Sequence, residues 1–349
     1  MIDEIQLTEL FNKRKNKNHT LVDVRSPKEF NEATIPGSIN IPIFTTEERA
    51  EIGKLYKQTS QEAAKNRGLE IFSQKLPTFI NEFKKINTPI TVFCWRGGMR
   101  SKAVATVLEL MDIHVTRLHG GFRTYRQWVM DELNKETFKP NLLVLNGHTG
   151  SGKTIILDKL AEKGYPVIDL EKIANHRGSI FGQIGLNPNK QKHFESLLVE
   201  TMKDYAEEPF VFIEGESKRI GKVVLPDFFY YKKEISTQIF IELPFKKRVD
   251  IILDEYHPTD NPKLFLDAFN IIKKHIHTPI ATKIENSLQN LDFRTAIKLL
   301  LEYYYDPRYN FHGKEYDQQQ IIYVDSTTID YAINQIEEIV INNDLCNKK

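Results

Sequence analysis

The sequence predicts an α/β protein of two tandem domains, the second built on a mainly parallel sheet. Three observations carry this. The apolar run Ile90–Phe93 leads directly into Cys94-Trp95-Arg96-Gly97-Gly98-Met99-Arg100, a strand-to-helix loop around one cysteine. A second junction follows residues 142–145, where Gly147-His148-Thr149-Gly150-Ser151-Gly152-Lys153-Thr154 fits the phosphate-loop pattern G-x-x-x-x-G-K-[ST] at every defined position. The chain has 349 residues, more than the roughly 100–200 of a single domain, so each junction marks a domain of its own.

In the first domain, expected over residues 1–138, residues 20–25 read as a short buried strand. Ser26-Pro27 then starts a helix, because serine caps and proline suits the first turn. Ile35-Pro36-Gly37-Ser38 and Asn40-Ile41-Pro42 are turn and strand-edge chemistry. Residues 47–85 are polar with apolar residues at helical spacing, among them Ile52, Leu55, Ile71, Phe72, Phe79 and Phe83, which predicts a helical insertion over about 45–88. After the cysteine loop come a helix over 101–111, a strand over 114–118, the Gly120-Gly121 turn and a helix over 124–134.

Lys139-Pro140-Asn141 marks the boundary, and the second domain is expected over 139–349. A strand over 142–145, the phosphate loop and a helix over 154–163 open it. Further strands are expected at 165–169, Phe210–Glu214, 238–242 and Ile321–Asp325, with a last helix over 328–342. The all-apolar character of the middle ones suits a parallel sheet covered on both faces.

Hydrophobic residues make up 40% and charged residues 27% of the chain, an ordinary globular balance. A formal charge of +1 means that a nucleic-acid partner would have to meet a local basic face. Two cysteines, Cys94 and Cys346, argue against a disulfide scaffold and for a reducing compartment. No stretch approaches the roughly 20 apolar residues of a membrane helix, and the N-terminus lacks a basic and apolar leader, so a cytoplasmic location is expected.

A cysteine after an apolar strand is by default a small core residue. Its neighbours favour catalysis. Backbone N–H groups at a loop-to-helix junction converge on an anion and favour a thiolate. Gly97 and Gly98 permit the turn, and Arg100 suits a bidentate contact to an oxyanion. In the phosphate loop, N–H groups from Gly150 to Thr154 would cradle a diphosphate, Lys153 would meet its terminal oxygens, and the Thr154 hydroxyl would be a Mg²⁺ ligand. Glu214 and Glu216 are candidates to support the metal, with solvated carboxylates as the alternative. Asp169 ends a strand at the ligand-binding edge. His119, His176 and His193 show no paired metal-ligand spacing.

Asp23-Val24-Arg25, Glu29-Phe30, Ile35-Pro36-Gly37-Ser38, Asn40-Ile41-Pro42, the Cys94 loop and Leu118-His119-Gly120-Gly121 resemble, in that order, the rhodanese family of sulfurtransferases. The loop departs from the usual pattern. Five residues separate Cys94 from Arg100, one more than is usual there, as in the roomier loop of cysteine phosphatases. Ala33-Thr34 also stands where ordinary thiosulfate sulfurtransferases often have Gly-His.

The joint pattern of this loop, the P-loop, Glu216-Ser217 followed by Ile220-Gly221 and Leu225-Pro226, and Tyr305-Asp306-Pro307 with Tyr309 resembles the tRNA 2-selenouridine synthase family over nearly the whole chain. The resemblance implies a rhodanese-like domain followed by a P-loop NTPase-like domain. It further implies action on wobble 2-thiouridine of tRNA, with geranyl diphosphate and selenophosphate as substrates and no need for ATP. Geranylation would take place at the P-loop and selenium delivery at Cys94, and a selenophosphate-supplying enzyme is a conceivable partner. Rival readings are an ATP-dependent sulfurtransferase, a cysteine phosphatase fused to a small-molecule kinase, and a nucleotide-gated docking module. Lys246-Lys247-Arg248, Lys222, Lys232-Lys233, Lys273-Lys274 and Tyr303-Tyr304-Tyr305 are candidates for RNA contact, although each taken singly reads as a solvated face or core aromatics.

Overall fold

The computed structural model describes residues 2–15, 18–308 and 320–342; Tyr309 and Cys346 lie outside them. The chain divides into two compact units, the first of residues 1–135 with Glu195–Leu197 and the second of the remainder.

In the N-terminal unit, β1 (Glu4–Ile5), β2 (Thr20–Asp23), β3 (Ile39–Asn40), β4 (Ile90–Phe93) and β5 (Val115–Leu118) form one sheet in the order β1-β5-β4-β2-β3. Every pairing is parallel. The middle strand, β4, is buried at all its positions, as a strand covered on both faces must be. It is the strand that delivers Cys94. The helices are α1 (Leu7–Arg14), α2 (Pro27–Glu32), α3 (Thr46–Gln58), α4 (Gln61–Lys84), α5 (Met99–Glu109) and α6 (Gly121–Asn134).

Two helices, α3 and α4, fill the insertion. Thr45 starts α3 by a capping box with Glu48. Pro77 sits inside α4 without ending it. The apolar stripe Ile71, Phe72, Phe79, Ile80 and Phe83 passes through the proline and packs into the same core as Val92 and Val104, and this burial outweighs the lost backbone bond. Behind β2, the Arg25 guanidinium is buried against Asp23, with Nη2 2.6 Å from Oδ2, and lies 4.1 Å from the Phe122 ring centre.

In the C-terminal unit, β6 (Asn141–Asn146), β7 (Val167–Ile168), β8 (Phe210–Glu214), β11 (Thr237–Glu242) and β12 (Ile321–Asp325) form a sheet in the order β12-β11-β6-β8-β7, all parallel. A small hairpin of β9 (Arg219–Ile220) and β10 (Val223–Val224) stands apart. Alternate side chains of β6 divide between two cores, Leu142 and Val144 in one, Leu143 and Leu145 in the other, which is the strand period expressed as a two-faced sheet. Once more the middle strand, here β6, leads into the functional loop. The helices are α7 (Lys153–Glu162), α8 (Leu170–Ala174), α9 (Gln191–Asp204), α10 (Asp227–Glu234), α11 (Phe245–Tyr256), α12 (Pro262–Ile272), α13 (Thr278–Gln289), α14 (Phe293–Leu300) and the closing helix Ile329–Asn342.

Helices α11 to α14, with Phe181 and Ile184, build a third core around Phe265, Phe269, Ile284 and Phe293. This helical module was not anticipated from the sequence. A π-helical turn, Leu301–Tyr305, follows α14 directly.

Candidate active sites

The cysteine loop is pinned from beneath. Phe122 N donates to Cys94 O and Arg123 N to Trp95 O, both at 2.9 Å, so the start of α6 carries the loop. That approach requires glycine at position 121, since a Cβ there would lie 2.2 Å from Cys94 O. Arg117, buried, donates to Gly97 O. Of the two loop glycines, Gly97 has φ +61°, whereas Gly98 has φ −88° and caps α5. A Cβ at Gly98 would meet nothing within 4 Å. Position 98 therefore keeps open space at the helix N-terminus, where an anion would approach.

Cys94 is buried, with Sγ 3.3 Å from Ser101 Oγ. Arg100 does not stand free. Its Nη1 and Nη2 donate to the Glu29 carboxylate at 2.8 and 3.1 Å. Burial by itself pushes the Glu29 carboxyl up, but the hydrogen bonds and charge of Arg100 override it and hold Glu29 at about 2. A broad cleft opens over the loop between Trp95, Met99 and Arg100 on one side and Arg49, Lys54 and Tyr56 of α3 on the other. Trp95, Arg96 and Met99 are exposed at its rim.

The phosphate loop follows β6. Gly147, Gly150 and Gly152 all have positive φ. At Gly150 a Cβ would lie 2.7 Å from Arg248 O and 2.8 Å from Ile252 Cδ1, so α11 lies directly against the loop. Arg248 Nε donates to Thr149 O at 2.9 Å, and its other nitrogens bind Asp306 at 3.0 and 2.6 Å. Lys153 Nζ donates to Gly147 O at 3.0 Å, folded back over the loop. His148 lines a separate recess with Phe245 and Arg248, and burial, then the charge of Arg248, lower its pKa.

Carboxylates crowd the other side. Thr154 Oγ1 lies 3.4 Å from Glu171 Oε2, and Glu171 N donates to Glu214 Oε1 at 2.5 Å. Burial, then the charge of Glu216, push Glu171 up to about 9. Burial, then Asp169 and Glu171, push Glu214 well above the usual carboxylate range. Burial likewise raises Glu216. Glu214 Oε2 is buried with no hydrogen-bond partner. A buried carboxylate oxygen left over among clustered acids, one of which, Glu171, reaches the Thr154 hydroxyl, fits a hard cation with oxygen ligands. Among the described residues, no three His, Cys, Asp or Glu side chains form a metal-binding group, so such a cation would draw on the Thr154 hydroxyl and ligand phosphates as well.

Residues 6–127 match the rhodanese-like domain family, and residues 140–292 match the tRNA 2-selenouridine synthase AAA domain family. The chain is 35% identical to the tRNA 2-selenouridine synthase of Nitrosomonas eutropha over 73% of its own length and 66% of that protein, and 36% identical to that of Nitrosomonas europaea over 68% and 63%. With the tRNA 2-selenouridine synthase of a Sulfurovum species it shares 30% identity over 84% of this chain and 88% of the relative. The chain belongs to the tRNA 2-selenouridine synthase family. It thus spans about two thirds of the two Nitrosomonas members and most of the Sulfurovum one.

Within this family member the structure gathers Cys94, Trp95, Arg96, Gly98, Met99 and Arg100 around one cleft and residues 149–154 around another. His148 lies in the separate recess, and Glu214 joins the second site through the backbone of Glu171, which is the acid next to Thr154. Glu29, Ser101, Glu171 and Arg248 join these sites without having been singled out for them. Glu29 had a signal, the acid at the third position after Ser26. Glu171 had none.

Two of the basic clusters need correction. Arg248 and Lys233 are buried, 6% and 2% exposed, the first bound to the phosphate loop and the second to Glu234. Neither is available to a phosphate backbone. Lys273 is paired with Glu285 at 2.6 Å, whereas Lys222, Lys246 and Lys247 are exposed. Among the described residues no helix is long and apolar enough to cross a membrane.

Proposed function

We propose that the chain replaces the sulfur of 2-thiouridine in tRNA by selenium in two stages, S-geranylation at the P-loop and selenium insertion at the Cys94 loop. The observation that supports this is a pair of strand-to-helix loops, one bearing Lys153 and Thr154 and the other Cys94 and Arg100, in a chain of this family, each of a kind suited to an anion. One would hold a diphosphate leaving group and the other selenophosphate.

In the first stage the thiouridine sulfur attacks C1 of geranyl diphosphate, the C–O bond breaks, pyrophosphate leaves with the electron pair, and the N3 proton of the base passes to solvent. N–H groups of residues 150–154 and Lys153 stabilise that charge as it develops. Thr154 and Glu214 would hold Mg²⁺, which when bound neutralises diphosphate charge. Alkylation converts a poor leaving group into a thioether.

In the second stage selenium bonds to C2 and the C–S bond breaks, expelling geranyl thiol, while water takes the phosphoryl group of selenophosphate and releases phosphate. The Cys94 loop binds and delivers selenophosphate, with α5 directing its N-terminus at the anion and Glu29 fixing the Arg100 plane. Exposed Trp95 and Tyr56 flank the cleft and suit stacking on an extruded base.

Mass spectrometry of nucleosides tests this. Thiouridine tRNA is incubated with the protein, Mg²⁺, geranyl diphosphate and selenophosphate, omitting one substrate at a time. Geranyl and selenium products are expected in turn. Unchanged thiouridine with ATP hydrolysis would hand the case to an ATP-dependent sulfurtransferase.

A further inference from the structure

Beneath the phosphate loop lies a narrow cavity walled by the helical module. Its inner lining includes Phe181, Phe265, Phe293, Ala296, Leu300 and Leu301. Thr149, Ser179, Ile252, Tyr256 and Tyr305 line this cavity and also the pocket in front of the phosphate loop, so the two adjoin across a shared wall. Their chemistries divide sharply. Charged groups of both signs, Lys153 and Arg177 with Glu171, Glu216 and Glu255, and the loop residues line the phosphate-side pocket, whereas the inner chamber presents aromatic and aliphatic carbon. Phe265 is its centre, 5.8 Å from the Phe181 ring, 5.9 Å from Phe293 and 6.1 Å from Tyr256. Ser179 and Tyr256 at the mouth hydrogen-bond each other at 3.1 Å.

We propose that this cavity holds the hydrocarbon tail of a prenyl diphosphate whose diphosphate sits on the P-loop, with α11, α12 and α14 forming the tail channel. The assignment rests on the two-stage reading above and locates its first substrate. A purine and ribose bring many hydrogen-bonding atoms, and a chamber lined by phenylalanine, leucine and alanine leaves those atoms unmatched. An aliphatic chain loses nothing there. Ile252 ties the two halves together, because it walls the cavity and the phosphate-side pocket alike and stands so near Gly150 that a Cβ there would lie 2.8 Å from its Cδ1. The π-helical turn has the same effect from the other side, setting Leu301 and Tyr305 into the cavity wall.

The test measures binding to the full chain by calorimetry, with geranyl diphosphate and inorganic pyrophosphate as separate ligands. Geranyl diphosphate is expected to bind at least about tenfold more tightly, from burial of the tail. Ala296→Trp, which fills the chamber, is expected to erase that increment and leave pyrophosphate affinity within about twofold. Equal affinity of the native protein for the two ligands would overturn both the channel and the geranylation reading. A preference that survives in folded Ala296→Trp overturns the channel alone. A measurement free of the variant uses the native chain and a geranyl diphosphate analogue with a diazirine at the tail end. Cross-links on peptides holding Phe265, Phe293 or Leu300 uphold the channel, and cross-links confined to other segments overturn it.

Discussion

Arg100 and Glu29, 71 residues apart in the chain, meet through two hydrogen bonds that lock the guanidinium plane beside Cys94. The arginine of the loop is thereby oriented before any ligand arrives. Glu29→Gln keeps the shape of the side chain but removes the charge. Selenium insertion should fall, by up to about a hundredfold if the guanidinium swings out of position. Geranylation by the same variant should be unchanged, and nucleoside mass spectrometry reads both.

The same pair predicts an acid limb of stability. The Glu29 carboxyl sits at about 2 in the folded chain, below its ordinary 4.5, so the folded state holds the proton less tightly than the unfolded one. The pair's contribution is fully present above about pH 4.5 and is lost as pH falls towards 2. Thermal melts between pH 2 and 6 should therefore show a shallower acid decline for Glu29→Gln than for the native protein.

Lys153→Ala should lower geranylation by at least about a hundredfold, the scale seen when one donor to a developing anion is removed. Cys94→Ala should block selenium insertion while the geranylated nucleoside accumulates. Equal loss of both products in either variant would contradict the division between the sites.

Asp306 holds Arg248, and Arg248 holds the Thr149 carbonyl. Asp306→Asn leaves a buried guanidinium short of its counter-charge, at a cost on the order of 3 kcal/mol. A lower melting temperature and weaker pyrophosphate binding are expected together. A stability loss with unchanged pyrophosphate affinity would show that the loop holds its shape without this tether.

Chelation of divalent ions should stop geranylation and leave selenophosphate binding intact. Mg²⁺ added with pyrophosphate should raise the melting temperature of the native protein. In Thr154→Ala and Glu214→Gln that increment should shrink, and an undiminished increment in both would remove these residues from the metal site.

Much of this arrangement was legible in the sequence because each loop carries its own local signature. Cys94 and Lys153 stand in motifs whose glycines and flanking strands are contiguous, and local patterns are what a sequence exposes. Partners supplied from afar were harder to see. Glu171 reaches Thr154 across the rest of α7, a turn and β7, and Arg248 looked like one of three consecutive basic residues until α11 turned it inward. The tail chamber was the least legible, since Phe181, Phe265 and Phe293 come from three separate segments and each alone is an ordinary core residue. Pro77 shows the reverse case, a local helix breaker overruled by a buried apolar stripe.

Both functional loops spring from the middle strand of a five-stranded parallel sheet. Amides of a central strand open to solvent only when the whole sheet gives way, whereas loop amides exchange freely. Deuterium uptake should therefore change from slowest to fast within a few residues, from Val92 to Trp95 and from Val144 to His148. Reacting groups at these points stand at the edge of solvent, yet are rooted in the last part of each unit to unravel.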